Sequence, residues 1–295
     1  MRGSALALTM LFVLASAAPA TAAEAPAARY EHVAYQHYVA LGDSYASGPG
    51  IPEQNGTPLG CGRSDHNYPG RLARWLRVVK FTDVSCAGAT TANMAGPQVV
   101  QDGANPPQLE ALRPETDLVT LTIGGNDIGF GEILGTCGQT GSTDPTGAPC
   151  REHYTSGGTD VLANRVAVAG KRVATVLAEI RTRSPRARVL VVGYLRILPT
   201  GAGCWPQVPF AAGDTEYFDR TERSLNEALA AVTRTAGARF VNPYLYSTTH
   251  DACQPDDRRW VEPLRPASPA APIHPNEQGM TVVAGLTWLA TLSPR

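Results

Sequence analysis

"YVALGDSYASG", residues 38–48, decides how the rest of the chain is read. Tyr38-Val39-Ala40-Leu41 is a short apolar run, and Gly42 ends it at a turn that presents Asp43 and Ser44. A continuous apolar run, without alternation, belongs to a strand covered on both faces, as in parallel sheets. Four more strands are predicted at Phe81–Ser85, Leu118–Ile123, Arg188–Val192 and Ala238–Val241. Between them the spacing becomes helical. Leu162, Val166, Ala169, Val173, Leu177 and Ile180 recur by threes and fours, and so do Phe218, Thr221, Leu225, Leu229 and Val232. A last helix starts near Asn276. Strand alternating with helix predicts βαβ crossovers, hence an α/β fold with a parallel sheet between helices.

Residues ahead of this core read as an export leader. "MRGS" is a short cationic start, "ALALTMLFVLA" an apolar run, and Ala20-Thr21-Ala22 a small-residue cleavage signal. The run falls short of the ~20 residues that span a bilayer. The expected organisation is a signal peptide over 1–23, a flexible Ala/Pro-rich tail over 24–36 and one domain over 37–295. The mature chain is expected to be secreted and soluble. Its 25 Lys+Arg against 26 Asp+Glu give a net charge of −1, with basic residues scattered, so it carries no footprint for nucleic acid.

Six cysteines in an exported chain argue for disulfides, although six allow 15 connectivities. Cys61 and Cys86 follow the first two strands, and Cys204 and Cys253 follow the last two. Loops after parallel strands gather at one edge, which favours Cys61–Cys86 and Cys204–Cys253. Cys137–Cys150 is the third pair; it pins a long Gly/Thr/Pro-rich segment, Phe130–Thr159, read as a loop. None of the six lies in a CxxC pair, so no zinc cluster is expected.

Ligands of open α/β sheets bind outside the carboxyl ends of the strands. The polar residues there are Asp43 and Ser44 after the first strand, the turn glycine Gly88 after the second, and Gly125-Asn126-Asp127 after the third. His274 comes before the last helix. These are the groups of acyl transfer. A hydroxyl is a weak nucleophile until a base takes its proton. The oxyanion of the tetrahedral intermediate needs backbone N–H or Asn donors aimed at it. Each piece alone has an ordinary reading: a turn serine, an Asx turn, a structural histidine. Their order along the chain, each near its own strand end, is what makes them a site.

"GDS", the turn glycine, "GGND" and a C-terminal His-Pro resemble the four blocks of the GDSL, or SGNH, hydrolases, with the nearest likeness to secreted actinobacterial lipases and esterases. The likeness extends over nearly the whole mature chain and includes the three-disulfide pattern. It implies a flavodoxin-like three-layer α/β/α sandwich with a five-stranded parallel sheet. It implies Ser44 as nucleophile, His274 as base, and an oxyanion hole of Ser44 N–H, Gly88 N–H and Asn126. It implies no metal and no organic cofactor.

There is one departure. The wider family has Asp three residues before the histidine, where this chain has Ala271 in "AAPIH". The secreted subgroup suggests a backbone carbonyl in that role, and Pro272 holds Ala271 extended. The expectation is therefore that the Ala271 carbonyl orients His274, the rival being a carboxylate from Asp251, Asp256 or Asp257. Among other histidines, His32, His37, His66 and His153 are poorly placed, and His250 is the serious rival base. The expected activity is hydrolysis of acyl esters by a lipase or carboxylesterase, acting as a monomer. An acyl groove is expected from Ile128, Phe130, Ile133, Leu134, Trp260 and "CWPQVPF" (Cys204–Phe210). Alternatives are a phospholipase, a carbohydrate O-acetyl esterase and, from another class, a non-catalytic binding module.

Overall fold

Five parallel strands form the central sheet of the computed structural model, which describes residues 35–293. The leader reading, most of the tail and His32 lie outside the described residues. The strands are β1 (His37–Gly42), β2 (Lys80–Asp83), β3 (Leu118–Thr122), β4 (Arg188–Val192) and β5 (Arg239–Val241), in the order β2-β1-β3-β4-β5. Every residue of β3 and β4 is buried, as the unalternating apolar runs require. Val39 stands level with Thr82 on one side and Val119 on the other. This strand order reverses direction between β1 and β3. That is the topological switch point, outside which flavodoxin-like sheets bind their ligands.

The helices are α1 (Ser44–Ser47), α2 (Tyr68–Leu76), α3 (Ala92–Ala95), α4 (Phe130–Thr143), α5 (Pro149–Thr155), α6 (Val161–Arg183), α7 (Ala212–Thr235) and α8 (Glu277–Leu292). α2 packs on α8 and α6 on α7, and helices cover both sides of the buried strands. The ends of three are set by side chains: Asn67, Asp160 and Asn276 each accept the backbone N–H three residues on. The Asn276 cap, two residues after His274, fixes where α8 begins.

The segment 130–159 is not a loop. Its glycines and threonines depress helix propensity, yet it forms α4 and α5, and Cys137–Cys150 joins the two. Ile133, Cys137 and Cys150 are buried, so tertiary burial overrides local preference. Gly141 has a packing reason: a Cβ there would come within 2.4 Å of the Pro209 carbonyl oxygen. The other cysteines pair as Cys61–Cys86 and Cys204–Cys253.

Candidate active site

Ser44 owes its position to the end of β1. Gly42 lets the turn close against β3, for a Cβ there would lie 2.7 Å from Ala46 Cβ and 2.8 Å from Thr122 O. The Asp43 N–H then donates to Thr122 O at 2.9 Å. Buried Gln108 braces the same turn with both ends of its amide: Gly42 N–H donates to its oxygen (2.7 Å) and its nitrogen donates to Gly42 O (2.9 Å). Asp43 is buried, and its carboxylate accepts from Tyr45 N–H (2.9 Å) and from the Tyr194 hydroxyl (2.6 Å). Burial pushes this carboxyl up to about 7, against the pull of those two hydrogen bonds. Ser44 opens α1, where its own N–H has no intrahelical acceptor.

The next two blocks are clamped to the first. Gly88, at φ +79°, is exposed, and among the described residues its N–H has no acceptor. Only glycine takes that backbone without strain. Its loop is held by Cys61–Cys86 and by Ala87 N–H to Cys61 O (2.9 Å). Asn126 Nδ2 donates to Ala89 O at 2.9 Å, which aims the amide and leaves its second hydrogen available. Asp127 ties the two loops together, accepting Thr91 N–H at 3.0 Å and the Thr91 hydroxyl. Gly125 N–H donates to Tyr194 OH (2.8 Å), which donates to Asp43. One tyrosine from beyond β4 thus holds the β1 and β3 turns in register.

His274 Nε2 lies 2.8 Å from Ser44 Oγ. Its other nitrogen, Nδ1, lies 2.7 Å from the carbonyl oxygen of Pro272, not that of Ala271. The reason is the turn itself. Ala271 O already accepts the His274 backbone N–H at 3.2 Å, and Ala271 N–H donates to Pro49 O. Ile273 adopts φ +59°, unusual for a β-branched residue, and the next carbonyl back meets the ring instead. That conformation is held by Ile273 N–H to Glu262 O (3.0 Å) and by Tyr45 OH to Ile273 O (2.9 Å). Because a carbonyl only accepts, Nδ1 carries the proton and Nε2 is the bare acceptor facing the serine. Burial pushes the imidazole below its ordinary value, partly offset by Pro272 O.

The rivals are engaged elsewhere. His250 stacks flat on Trp260, ring centroids 3.7 Å apart, with Nδ1 on Arg258 O. His37 starts β1, His66 pairs with Glu277, and His153 packs edge-on against Tyr154. Asp251 accepts from Cys253 N–H and the Gln254 amide, Asp256 pairs with Arg259, and Asp257 is exposed. Among the described residues no carboxylate hydrogen-bonds His274. Nor do three His, Cys, Asp or Glu side chains gather there where they could hold a metal ion.

Ser44 and Asn126 open onto a cavity walled by Ile128, Phe130, Ile133, Phe218 and Leu225. Of the expected groove, Ile128, Phe130 and Ile133 line it, whereas Leu134, Trp260 and residues 204–210 do not. Val208 and Phe210 are buried in the core, and Trp205 is exposed. Gly88 is outside the lining. Tyr45, Tyr194 and Gln108 were not singled out from the sequence, because a buried tyrosine or glutamine has no spacing that separates bracing from packing. No described helix is long and apolar enough to cross a membrane.

The model of the GDSL-like lipase/acylhydrolase family matches residues 40–282. A protein named Lipase 2 from Streptomyces coelicolor is 38% identical over 247 residues, covering 82% of this chain and 81% of its own. Among solved structures, phospholipase A1 from Streptomyces albidoflavus superposes with a TM-score of 0.69 at 25% identity, over 88% of this chain and all of its own. An extracellular lipase from Streptomyces rimosus does so at 0.67, with the same identity and coverage.

Proposed function

The chain belongs to the GDSL-like lipase/acylhydrolase family, and we propose that it hydrolyses acyl esters of lipids outside the cell through a Ser44–His274 dyad. It is a carboxylic ester hydrolase. The dyad rests above all on one observation, the 2.8 Å contact between His274 Nε2 and Ser44 Oγ.

Ser44 Oγ attacks the ester carbonyl as His274 Nε2 takes its proton. Pro272 O keeps the proton on Nδ1 throughout, so the ring stays in the productive tautomer. The oxyanion that forms accepts from Ser44 N–H, Gly88 N–H and the unused Asn126 hydrogen. Collapse returns the proton from Nε2 to the departing alcohol and leaves an acyl-Ser44. Water then repeats the sequence with His274 as base and frees the acid. A neutral carbonyl stabilises imidazolium less than a carboxylate does, and the depressed His274 basicity accords with that arrangement.

The apolar walls beside Ser44 suit an alkyl chain better than an acetyl group on a sugar. Export is supported by the leader sequence and by three disulfides. The test is a panel of p-nitrophenyl esters from acetate to palmitate, with a phosphatidylcholine and an acetylated xylan. Turnover should favour medium or long chains. Ser44→Ala should lose about 10⁴-fold or more in kcat with an unchanged melting temperature, and a serine-directed phosphonate should label the parent at Ser44 alone. Substantial activity in Ser44→Ala would sink the dyad. Preference for the acetylated xylan would make the protein a carbohydrate esterase.

A further inference from the structure

Glu222 interrupts the apolar face of α7. Phe218 and Leu225 lie about one turn away on either side, Thr221 directly precedes it, and all four residues line the cavity that holds Ser44. The side chain is 6% exposed. Its Oε2 accepts the Ile197 N–H at 3.1 Å, while Oε1 is out of solvent and has no hydrogen-bond partner among the described residues. The nearby cation does not serve it: Arg196 Nε lies 3.4 Å from Asp219 Oδ1, and its terminal nitrogen donates to Tyr244 OH. A buried polar atom without a partner, on a side chain that lines the cavity beside Ser44, lacks something that a ligand can supply.

We propose that Glu222 is a specificity-determining residue, a hydrogen-bond donor in the acyl pocket that selects acyl chains carrying an acceptor oxygen over plain alkyl chains. This rests on the reading of Ser44 as the nucleophile facing that pocket. Burial, reinforced by Asp219 and Asp251, raises the Glu222 carboxyl well above the usual carboxylate range, against the pull of Ile197 N–H and Arg196. A buried carboxyl with no cation bonded to it and one oxygen out of solvent is most stable as a neutral acid, with one carbonyl and one hydroxyl oxygen. Ile197 N–H needs an acceptor, which makes Oε2 the carbonyl and leaves the proton on Oε1. The unpartnered atom is therefore a donor, a role neutral buried carboxylic acids fill in other active sites. A keto, ether or hydroxyl oxygen on the chain satisfies it, whereas a methylene leaves it unpaired. Sites built to hydrogen-bond a substrate group discriminate strongly against analogues lacking it.

The experiment compares p-nitrophenyl octanoate with its mono-oxo isomers, the ketone walked along the chain, using the full-length mature enzyme. Rates are normalised to active sites counted by phosphonate titration. In the parent, kcat/KM should favour one oxo position over the plain ester by about tenfold or more. Glu222→Gln keeps an acceptor for Ile197 and a donor towards the cavity, so it should retain that preference. Glu222→Met should collapse the ratio towards one. A flat ratio across all oxo positions in the parent, or an undiminished one in Glu222→Met, would overturn the proposal. Should Glu222→Met not fold, the position series in the parent and Glu222→Gln still decides it. If Ser44→Ala turns over these esters, the fault lies with the nucleophile, whereas ready turnover of plain octanoate with a flat ratio faults Glu222 alone.

Discussion

The two sides of the candidate active site are held in place by different means. Ser44 follows the end of β1 by two residues, and Asn126 lies just beyond β3. Both inherit their positions from strands paired in fixed register, and Gln108 and Tyr194 brace the turns that follow. His274 has no such support. It arrives from a long irregular segment after β5, and hydrogen bonds to backbone atoms place it: Ile273 to Glu262, Glu262 to His274, Ala271 to Pro49 and Tyr45 to Ile273. Buried Glu262 anchors that segment, 3.2 Å from Arg259 and accepting from Asn276 Nδ2 at 2.8 Å. Under the proposed dyad the sheet supplies a rigid floor for the charge that develops, and a hydrogen-bonded loop brings the base to it. Damage should therefore fall differently on the two sides.

The largest effect is expected on the sheet side. Asn126→Ala removes one oxyanion donor and should lower kcat by roughly 10²- to 10³-fold with KM little changed. Steady-state kinetics on a soluble ester checks it, and a large rise in KM at constant kcat would make Asn126 a binding residue instead. On the loop side, Tyr45→Phe deletes only the bond to Ile273 O. One hydrogen bond contributes about 0.5–1.5 kcal/mol net, so kcat should drop about 2- to 10-fold, with a more mobile His274 seen as faster hydrogen exchange in residues 271–276. A loss as large as that of Asn126→Ala would erase the distinction between the two sides.

The pH profile gives a subtler reading. Burial lowers the His274 value below 6.5 and no carboxylate opposes it. The base works only when neutral, so activity is lost as pH falls through that lowered value. The acid limb of kcat/KM should accordingly titrate below 6.5. A limb above that would point to a carboxylate partner. The smallest effect belongs to Asp251→Asn, Asp256→Asn and Asp257→Asn, each expected to leave kcat within a few-fold. A loss near 10⁴-fold in any of them, the scale seen when a triad acid is disabled, would restore a triad.

The same division governs what was legible in the sequence. Apolar runs named β1, β3 and β4 to within a residue, because a strand buried on both faces has no solvent side to confuse its pattern, while the half-exposed edge strands β2 and β5 were placed to within two residues by their position in the alternation of strand and helix. Ser44 and Asn126 stood out as candidates because each follows the end of a strand. The orienting carbonyl was read one residue early. Pro272 visibly restrains Ala271, but the left-handed turn at Ile273 is imposed by Tyr45 and Glu262, which are remote in sequence. Helices α4 and α5 stayed hidden behind glycine and threonine, whose local preferences gave way to burial. Glu222 stayed hidden because a charged residue beside an apolar stripe ordinarily marks its wet border, and here it lies inside.

The carbonyl that orients His274 belongs to the main chain, and no codon specifies it. Replacing the side chain at 272 leaves the oxygen in place, so substitution there cannot delete the group as it would delete an aspartate. What inheritance controls is the bend that delivers it, through Tyr45, Glu262 and the backbone angles at Ile273. Under the proposed dyad, the group that orients the base is thus encoded as a shape, distributed over Tyr45, Glu262 and Ile273. A lineage built this way is free to lose the aspartate of D-x-x-H, and regaining one at Ala271 would add a carboxylate to a ring already engaged.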